Sequence, residues 1–562
     1  MQRDIDSLRE SFDLLVIGGG IYGAALARLA ARSGWRVALV EREDFGGATS
    51  RNCAKLVHGG LRYVQHLDLP RLRESVAAQR DWRAAAPHLV RPMRFVIPTH
   101  GAGARGPAAL AAGILVYELA AIDRNRGVAD TVRLPRAGIM GRRALLQRFP
   151  MLDGPGVNGG AWWYDAQMLD ASRLTLECVV DAVAAGAAAV NHAEAVALIE
   201  HRGTVEGAVV RDRIGGRELE VRARLTINAT GPWMERLLPR SASRPARPPL
   251  FWSRNVNLVT RRLFDGDTAI GVASRRPADA VVGRARRLFF VSPWQDCSVI
   301  GTWHDVYTGD PDAVCVTPRE IASFVAEVND ALPSAALRAE DVRSVHVGIT
   351  PGTGDEVEHA RRPSIVDHRR NEGIEGLLSL AGIKYTTAPT TAAHVLACVR
   401  DRLGPPRHRA RFSDPLPGAR PVPAEDAGIP RLLDRSEPAV LWTARTYGSN
   451  ATEALCALPA QGLPAAEHVF RCRVTYGIEH EMVMTLSDAL FRATDHAERG
   501  LLTEGQLQWC ADTLAAAHGW SAARRSAELR DVRARLERMH SRISPEPSGQ
   551  RARIHTAEEL KT

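Results

Sequence analysis

The feature that most constrains this chain is a strand, helix and strand pattern close to its start. Asp13 to Ile17 form an apolar run typical of a buried strand, and Ala24 to Ser33 have the spacing of a helix. Arg36 to Val40 form a second strand-like run. This order predicts one βαβ unit, and therefore an α/β fold that contains a parallel sheet.

The loop between the first strand and the helix is a GxGxxG motif made by Gly18, Gly20 and Gly23. Gly18 permits a tight turn, Gly20 lets the backbone approach a pyrophosphate at the helix N-terminus, and Gly23 allows the helix to pack closely on the strand. Glu41 ends the second strand and is suited to accept a hydrogen bond from a ribose hydroxyl. The complete pattern predicts dinucleotide binding and leaves NAD and FAD open.

A second turn of small residues favours FAD. The core strand from Leu225 to Asn228 runs into Ala229, Thr230 and Gly231. A small-residue turn after a late strand allows the backbone to pack against a cofactor, although by itself it is more often a simple strand-to-loop turn. Because it accompanies the first motif, we predict FAD as the cofactor.

The rest of the pattern predicts two further structural regions. Residues 187–227 form short alternating strand runs, and further strand runs occur between residues 250 and 309. We therefore predict a Rossmann-like FAD-binding domain beside an antiparallel-sheet substrate domain, interleaved over residues 1–404. Hydrophobic residues at 45% and charged residues at 24% exclude a disordered chain and a multispanning membrane protein.

The end of the chain has a different character. Residues 405–430 contain seven prolines and predict an exposed linker. Residues 431–540 have helical spacing and predict an all-helical C-terminal domain, and the polar stretch 541–562 is expected to be a mobile tail. The segment Pro107 to Ile122 is too short to span a bilayer, so it predicts a buried helix or a membrane-surface helix.

Charge and cysteine content narrow the classes of partner. The net charge of +9 suits an anionic membrane surface, a phosphorylated substrate or a nucleic acid, but no basic cluster is interleaved with aromatic residues as in a nucleic-acid-binding module. Eight cysteines without a CxxC pair favour reduced thiols in a cytoplasmic protein. The charged N-terminus lacks the features of a signal peptide, and no metal motif is present.

Several long segments resemble the FAD-dependent glycerol-3-phosphate dehydrogenases that pass electrons to quinone. The matches stretch from residue 13 to about residue 494 and comprise DLLVIGGGIYGAALA at Asp13, GATSRNCAKLVHGGLRYVQH at Gly47, APHLVRPMRFVIP ending at Pro98, INATGPW at Ile227, FFVSPWQDCSVIGT at Phe289, AGIKYTT at Ala381, ARTYGSN at Ala444 and DALFRAT at Asp488. The resemblance implies oxidation of a secondary alcohol, glycerol 3-phosphate, to dihydroxyacetone phosphate.

The resemblance also implies roles for particular residues. It places His58, Arg62 and Tyr63 along the flavin and substrate cavity, where a base removes the hydroxyl proton. Lys384 would stabilise negative charge on the reduced flavin or the substrate, together with a following helix that Thr386 or Thr387 would cap. The implied cofactor contacts, beyond the motifs above, are Thr49, Ser50, Gly382, Lys384 and Thr386.

The implied partners are a small alcohol or phosphorylated polyol and an electron acceptor, quinone or another carrier. A peripheral contact with the inner face of the cytoplasmic membrane is a hypothesis that rests on the quinone, the positive charge and the apolar helix. The helical C-terminal domain is a reasonable surface for a homodimer.

The chain departs from the family where the substrate phosphate is expected. Thr350 stands where the family has an arginine. Asn255 and Asn257 belong to an Asn-Val-Asn segment that replaces the family's Gly-Ser-His. His304 ends a Gly-Thr-Trp-His segment that replaces the family's Gly-Thr-Thr-Asp. Other cations would have to replace the arginine, and the candidates are Arg62, Lys384, Arg361 and Arg362.

Three functions therefore remain open: a glycerol 3-phosphate dehydrogenase, a same-family enzyme for an unphosphorylated polyol, cyclitol or sugar derivative, and a non-catalytic flavin-binding module. His304 is either a replacement base or a structural imidazole.

Overall fold

The computed structural model describes residues 1–103, 106–238, 251–275, 287–353, 358–359, 363–420, 436–459 and 462–541. Its strands, in chain order, are β1 (Ser11–Ile17), β2 (Val37–Val40), β3 (Leu56–Val57), β4 (Val90–His100), β5 (Gly138–Gly141), β6 (Val157–Met168), β7 (Ala188–Val190), β8 (Ala193–His201), β9 (Thr204–Asp212), β10 (Glu218–Asn228), β11 (Phe251–Arg261), β12 (Thr268–Ala273), β13 (Leu288–Trp294), β14 (Cys297–Tyr307), β15 (Val342–Thr353), β16 (Glu358–His359), β17 (Ser364–Asp367) and β18 (Leu377–Ala381).

The helices of the described residues are α1 (Ile21–Arg32), α2 (Leu69–Ala85), α3 (Pro107–Ala120), α4 (Arg142–Arg148), α5 (Ala171–Ala184), α6 (Pro318–Ala331), α7 (His368–Glu372), α8 (Ala388–Leu403), α9 (Pro438–Tyr447), α10 (Ala451–Leu455), α11 (Ala465–His480), α12 (Leu486–Asp488), α13 (His496–Arg499), α14 (Glu504–His518) and α15 (Ala522–Arg538). A π-helical turn, Ala489–Ala493, continues α12.

The first sheet is built around the predicted βαβ unit. Its order is β17-β18-β10-β1-β2-β7, with β9 joined to β10 and β8 to β9. β1 pairs in parallel with β2 and with β10, so the carboxyl ends of all three strands meet at one edge. The helix of the unit begins at Ile21, three residues before the predicted start, because Ala24 already donates its N–H to the carbonyl of Gly20 at 2.9 Å.

The second sheet is the predicted antiparallel one. Its order is β16-β15-β11-β14-β13-β12-β4-β6-β3, with β5 joined to β6. Among the described strand pairs of this sheet, only β4 and β12 are parallel. β11 lies between β14 and β15, and this places Asn255 opposite His304 on one side and Gly348 on the other. The α/β fold class with a second, antiparallel sheet is therefore confirmed.

The described chain from Pro438 to Arg538 is helical, as predicted. Its helices bury an apolar core of their own, which includes Phe470, Leu490, Leu507 and Leu529. This core is separate from those of the two sheets, so the helical region has the internal packing expected of a domain.

The predicted exposure of the proline-rich linker is confirmed only for some of the residues that the structure describes, such as Pro405, Arg407 and Arg409. Residues 404–420 lack regular helix except for one short turn, yet Phe412 and Leu416 are buried against the first sheet's helices. The guanidinium of Arg28, which is itself buried, donates to the carbonyls of Phe412 and Asp414 at 2.7 and 2.5 Å. The prolines thus prevent regular structure without preventing packing. Residues 421–435, and 542–562 of the predicted tail, lie outside the described residues.

The apolar helix α3 has two different faces. Tyr117 is buried, whereas Leu115, Leu119 and the following Ile122 are 61%, 64% and 81% exposed. Across the described residues, no helix combines the length and the apolar character needed to cross a bilayer.

Candidate active site

A cavity of about 750 Å³ opens between the two sheets. It is lined by the carboxyl ends of β1, β2 and β10 on one side and by residues of β11, β14 and β15 on the other. Its volume lies in the usual range of roughly 300–1,000 Å³ for ligand and cofactor sites. All the predicted catalytic residues line it: His58, Arg62, Tyr63, His304 and Lys384.

The glycines of the first motif have steric roles where β1 meets the turn after β10. Gly18 has φ of +106°, and a Cβ there would lie 2.6 Å from the carbonyl oxygen of Ala229. A Cβ on Gly23 would overlap the carbonyl oxygen of Gly18. Glycine at these positions lets the two small-residue turns meet, and Thr230 and Gly231 line the cavity beside them.

Glu41 lies in the lining of the same cavity. Its carboxylate accepts hydrogen bonds from the N–H groups of Gly19 at 2.7 Å and of Glu43 at 2.8 Å. Burial raises the pKa of the Glu41 carboxyl. Each carboxylate oxygen keeps acceptor capacity beyond these single bonds, as a ribose-binding acid requires.

The N-terminus of α1 also lies in the lining of the cavity. The Ser50 hydroxyl accepts a hydrogen bond from the N–H of Ile21 at 2.9 Å, and both Gly20 and Ser50 line the cavity there. The free N–H groups and positive end of a helix at such a position form a ready anion site.

Thr49 has a different role from its neighbour. Its hydroxyl donates to the carbonyl of Ile349 and accepts from the N–H of Ile349, both at 3.0 Å. Thr49 therefore ties its segment to β15, in addition to lining the cavity.

Two segments that are distant in sequence meet in the lining of the cavity. His58 follows β3, and Arg62 and Tyr63 lie on the short 3-10 turn Leu61–His66. The Nζ of Lys384 donates a hydrogen bond to the Tyr63 hydroxyl. The N–H of His58 donates to the Thr386 hydroxyl at 3.2 Å.

Tyr22 organises the Lys384 segment, and its role was not predicted from the sequence. Its hydroxyl donates to the carbonyl of Lys384 at 2.7 Å and accepts from the N–H of Ile383 at 3.2 Å. A Cβ on Gly382 would overlap the Tyr22 ring, so glycine is required there. The sequence carries no signal for this role beyond the position of Tyr22 inside the glycine motif.

Helix α8 follows this segment, as predicted, with Pro389 in its first turn. The predicted side-chain cap is wrong. The Thr387 hydroxyl donates to the carbonyl of Lys384 at 3.2 Å, and the Thr386 hydroxyl is taken by His58. Both threonine hydroxyls therefore stabilise the turn before the helix, and neither accepts a hydrogen bond from the free N–H groups of α8.

Asp165 on β6 also lines the cavity and was missed by sequence reasoning. This buried carboxylate accepts from the N–H of Gly59 at 2.5 Å, from Gln79 at 2.8 Å and from Trp163 at 2.9 Å. Burial raises the pKa of Asp165 to about 6. Its main contact is the turn after His58, so it holds that turn in place. An isolated aspartate inside a strand run offers no sequence signal for this role.

The part of the cavity around His58 has excess positive charge. Among the described residues, neither Arg62 nor Lys384 has a carboxylate partner. Burial, and then the charge of Arg62, lowers the pKa of Lys384 to about 8. Burial, and then the charges of Lys384 and Arg62, lowers the pKa of His58 to about 3. At neutral pH the His58 imidazole is therefore uncharged.

Neutral side chains also line the cavity. The Asn255 amide donates to the Thr350 hydroxyl at 2.9 Å, so two neutral side chains are paired at the position where the resemblance leads us to expect an arginine. The Asn257 amide oxygen accepts from the Thr302 hydroxyl at 3.0 Å, and His304 lines the cavity as well. Of the cations considered as replacements, the structure brings Arg62 and Lys384 together, whereas residues 361–362 lie outside the described residues.

Comparison with known families accounts for this arrangement. Residues 13–397, more than half of the chain, match the family model of FAD dependent oxidoreductases. The chain belongs to the FAD-dependent oxidoreductase family. The predictions of FAD as cofactor and of an oxidoreductase are confirmed, and an enzyme is favoured over a non-catalytic flavin-binding module. Residues 414–525 match the C-terminal domain of alpha-glycerophosphate oxidase, in agreement with the predicted helical domain.

Individual relatives of this FAD-dependent oxidoreductase agree with the family assignment. It is 29% identical over 510 residues to a glycerol-3-phosphate dehydrogenase of Synechocystis, an alignment that covers 86% of this chain and 88% of the relative. It is 30% identical over 399 residues to a probable mitochondrial glycerol-3-phosphate dehydrogenase of Caenorhabditis elegans, covering 67% and 51%.

A solved structure supports the fold. The glycerol-3-phosphate dehydrogenase from Bacillus halodurans complexed with FAD superposes with a TM-score of 0.70 at 24% identity, covering 95% of this chain and 96% of the other.

The residues of this FAD-dependent oxidoreductase fit the dinucleotide. The cradle that a Cβ on Gly18 or Gly23 would fill, the open N-terminus of α1 and the acceptor Glu41 follow one another along a single cavity. These are the features that a ribose and a pyrophosphate require.

Proposed function

We propose that this FAD-dependent oxidoreductase oxidises the secondary alcohol of glycerol 3-phosphate and releases dihydroxyacetone phosphate. The observation that carries the proposal is the pair of cations, Arg62 and Lys384, which face the cavity without a carboxylate partner among the described residues. Such a pair favours a substrate with an anionic group. The relatives described above, which are named for glycerol 3-phosphate, support the same substrate.

The cofactor would lie along the whole cavity. Gly18, Gly20 and Ser50 would surround the pyrophosphate at the N-terminus of α1, and Glu41 would bind the ribose. The turn from Ala229 to Gly231 would pack against the dinucleotide from the other side. Bound FAD would supply the acceptor for the hydride that leaves the carbinol carbon.

The chain's own residues would perform the proton chemistry. Arg62 and Lys384 hold the anionic group of the substrate and thereby fix the position of the carbinol relative to His58. The Nδ1 or Nε2 atom of the neutral His58 imidazole accepts the hydroxyl proton. Burial is the larger cause of the lowered pKa of His58, and the charges of Lys384 and Arg62 are the next; the negative charge of the bound substrate offsets these two charges and raises the basicity of His58.

One observation favours a second candidate. The Asn255 and Thr350 side chains form a neutral pair at the position where the family has its phosphate-binding arginine. A wall of amide and hydroxyl groups suits a substrate that carries hydroxyl groups instead of a phosphate. Under this alternative the substrate is an unphosphorylated polyol, cyclitol or sugar derivative, and His304 is available as the base.

Anaerobic flavin bleaching distinguishes the two substrates. The purified holoenzyme is titrated with glycerol 3-phosphate, glycerol and a panel of polyols and cyclitols, and the loss of flavin absorbance is followed. Rapid bleaching by glycerol 3-phosphate, lost in Lys384→Met, supports the proposal. Bleaching by a neutral polyol alone, retained in Lys384→Met, supports the alternative.

We further propose that the electrons leave to a quinone and that the exposed face of α3 rests on the membrane that holds it. Leu115 and Leu119 on this helix, and Ile122 after it, are mainly exposed, which is unusual for apolar side chains of this size at neighbouring positions. The buried face of the same helix carries Tyr117, whose hydroxyl packs so closely on Gly59 that a Cβ there would clash with it. The helix is therefore adjacent to the turn that follows His58.

A further inference from the structure

The segment from Asp44 to His58 contributes nine residues to the cavity lining, Thr49, Ser50 and His58 among them, but has almost no regular structure of its own. Its only strand is β3, which has two residues. Local hydrogen bonds, such as those from the N–H of Gly47 to the carbonyl of Asp44 at 3.0 Å and from the N–H of Arg51 to the carbonyl of Gly46 at 3.1 Å, fix single turns of the segment but do not attach it to the rest of the fold. Its position must therefore come from the elements packed against it.

The helical C-terminal region supplies much of that packing. The Arg492 guanidinium donates to the carboxylate of Asp44 at 2.5 Å. Arg535 on α15 donates to the carbonyl of Gly47 at 3.2 Å. The guanidinium of Arg51 lies over the Phe491 ring, 5.1 Å from its centre. Three points of the segment are thus held from a region more than four hundred residues away in sequence.

Glu498 on α13 makes the fourth and most polar of these contacts. Its carboxylate accepts a hydrogen bond from the Lys55 ammonium at 2.6 Å and lies 3.6 Å from the Nε of Arg51. The Lys55 ammonium also donates to the carbonyl of Arg51 at 2.9 Å and so closes a loop of four residues. All three charged side chains are buried. One buried anion therefore balances two buried cations of the segment.

We propose that Glu498 is a positioning residue for the flavin site, acting through Lys55 and Arg51. Without its charge the two cations lose their common partner in a buried setting, where unpaired charge is strongly unfavourable. The segment then relaxes toward solvent and moves Ser50 away from the N-terminus of α1. The proposal concerns the binding of FAD and holds for either candidate substrate.

The chain offers a matched control for this residue. Glu481 is a second buried carboxylate of the helical region, and it pairs with Arg173 on α5. Among the described residues its carboxylate makes no hydrogen bond or ion pair with the segment from Asp44 to His58, although its charge acts on Arg492. Glu481→Gln therefore breaks a comparable buried pair between the same two regions and leaves the contacts of Lys55 and Arg51 with Glu498 in place.

The test compares Glu498→Gln with Glu481→Gln by titrating FAD into each apoprotein and by measuring Tm. We expect both variants to lower Tm. Only Glu498→Gln should raise the Kd for FAD, by roughly tenfold, a size typical of coupling through one buried network. Glu498→Asp, which keeps the charge, should restore most of the affinity.

Equal Kd values for Glu498→Gln and the wild type, with a lowered Tm, would overturn the proposal and leave Glu498 a purely structural residue. If the single variant does not fold, Glu498→Gln combined with Lys55→Met removes one charge of each sign, so that the chain can fold while the ion pair that holds the segment is still absent. An unchanged Kd for FAD in this double variant would also overturn the proposal, and a raised Kd would support it.

Discussion

The backbone N–H of His58 donates a 3.2 Å hydrogen bond to the hydroxyl of Thr386 and so joins two segments that are 328 residues apart. Lys384 lies two residues before Thr386, so the bond brings the ammonium next to the imidazole. The low pKa of His58 and the lowered pKa of Lys384 both follow from this junction, in which burial is the larger cause and the neighbouring positive charges the second.

Removal of the imidazole should slow the chemical step without loss of FAD. In His58→Gln the backbone bond to Thr386 is kept, so the segment stays in place. Because a general base typically contributes about 10²–10⁴-fold, we expect the rate of flavin reduction in stopped flow to fall by a factor in that range. His66→Gln, which changes an exposed histidine on the nearby 3-10 turn Leu61–His66, is the control. A rate equal to wild type in His58→Gln would show that another group is the base.

Substrate affinity should depend on pH through Lys384. The protonated ammonium binds an anion, and its pKa of about 8 lies well below the usual value for lysine. Affinity is therefore full below pH 8 and declines as the pH rises through 8. We expect KM for glycerol 3-phosphate to rise on the alkaline side, and Lys384→Arg to move this rise to higher pH. A KM that is constant up to about pH 10 would contradict the assignment.

An arginine at position 350 should shift preference toward a phosphorylated substrate. Thr350→Arg adds a charged donor among neutral side chains, and hydrogen bonds to charged groups contribute about 1.5–3 kcal/mol. We expect KM for glycerol 3-phosphate to fall by roughly tenfold or more. Thr350→Val, which removes the hydroxyl without adding charge, is the control and should not lower KM. Equal KM values in both variants would place the phosphate elsewhere in the cavity.

The glycine motif should tolerate no side chain at its last position. Gly23→Ala puts a Cβ on the carbonyl oxygen of Gly18, and we expect a loss of about 1–3 kcal/mol in the free energy of unfolding together with loss of bound flavin. Gly113→Ala on α3 is the control, because its Cβ would meet only Val64 at 3.9 Å. This control should be neutral or stabilising by about 0.5–1 kcal/mol. Flavin content and chemical denaturation measure both.

The exposed face of α3 should determine binding to lipid. We expect the wild type to float with liposomes that contain anionic lipid and Leu115→Glu combined with Leu119→Glu to remain in the soluble fraction, because the apolar contact is removed. Val306→Glu changes an exposed apolar residue of β14 and should float like the wild type. A wild type that stays soluble with the same liposomes would refute the membrane contact.

The parts of the protein that sequence reasoning predicted are local in the chain. The βαβ unit depends on the order of an apolar run, three glycines and a second apolar run, all within about thirty residues. The second sheet was visible as alternating strand runs for the same reason. The predicted start of α1 is three residues too late, because the first turn, from Ile21, lies inside the glycine motif and gives no clear helical pattern.

The burial of Phe412 and Leu416 could not be predicted, since prolines report the backbone's inability to form regular structure and say nothing of what packs on it. The roles of Tyr22 and Asp165 were missed because each depends on partners far along the chain.

The sequence by itself determined the family, the cofactor and the predicted catalytic residues that line the cavity, since the motifs and the family resemblance are read directly along the chain. Only the tertiary structure decided how those residues act on one another. The charge balance at His58, the neutral pair of Asn255 and Thr350 and the contact of Glu498 with Lys55 all join segments that are distant in sequence. Electrostatic and hydrogen-bond energies depend on distance and burial in space, and a linear sequence contains neither.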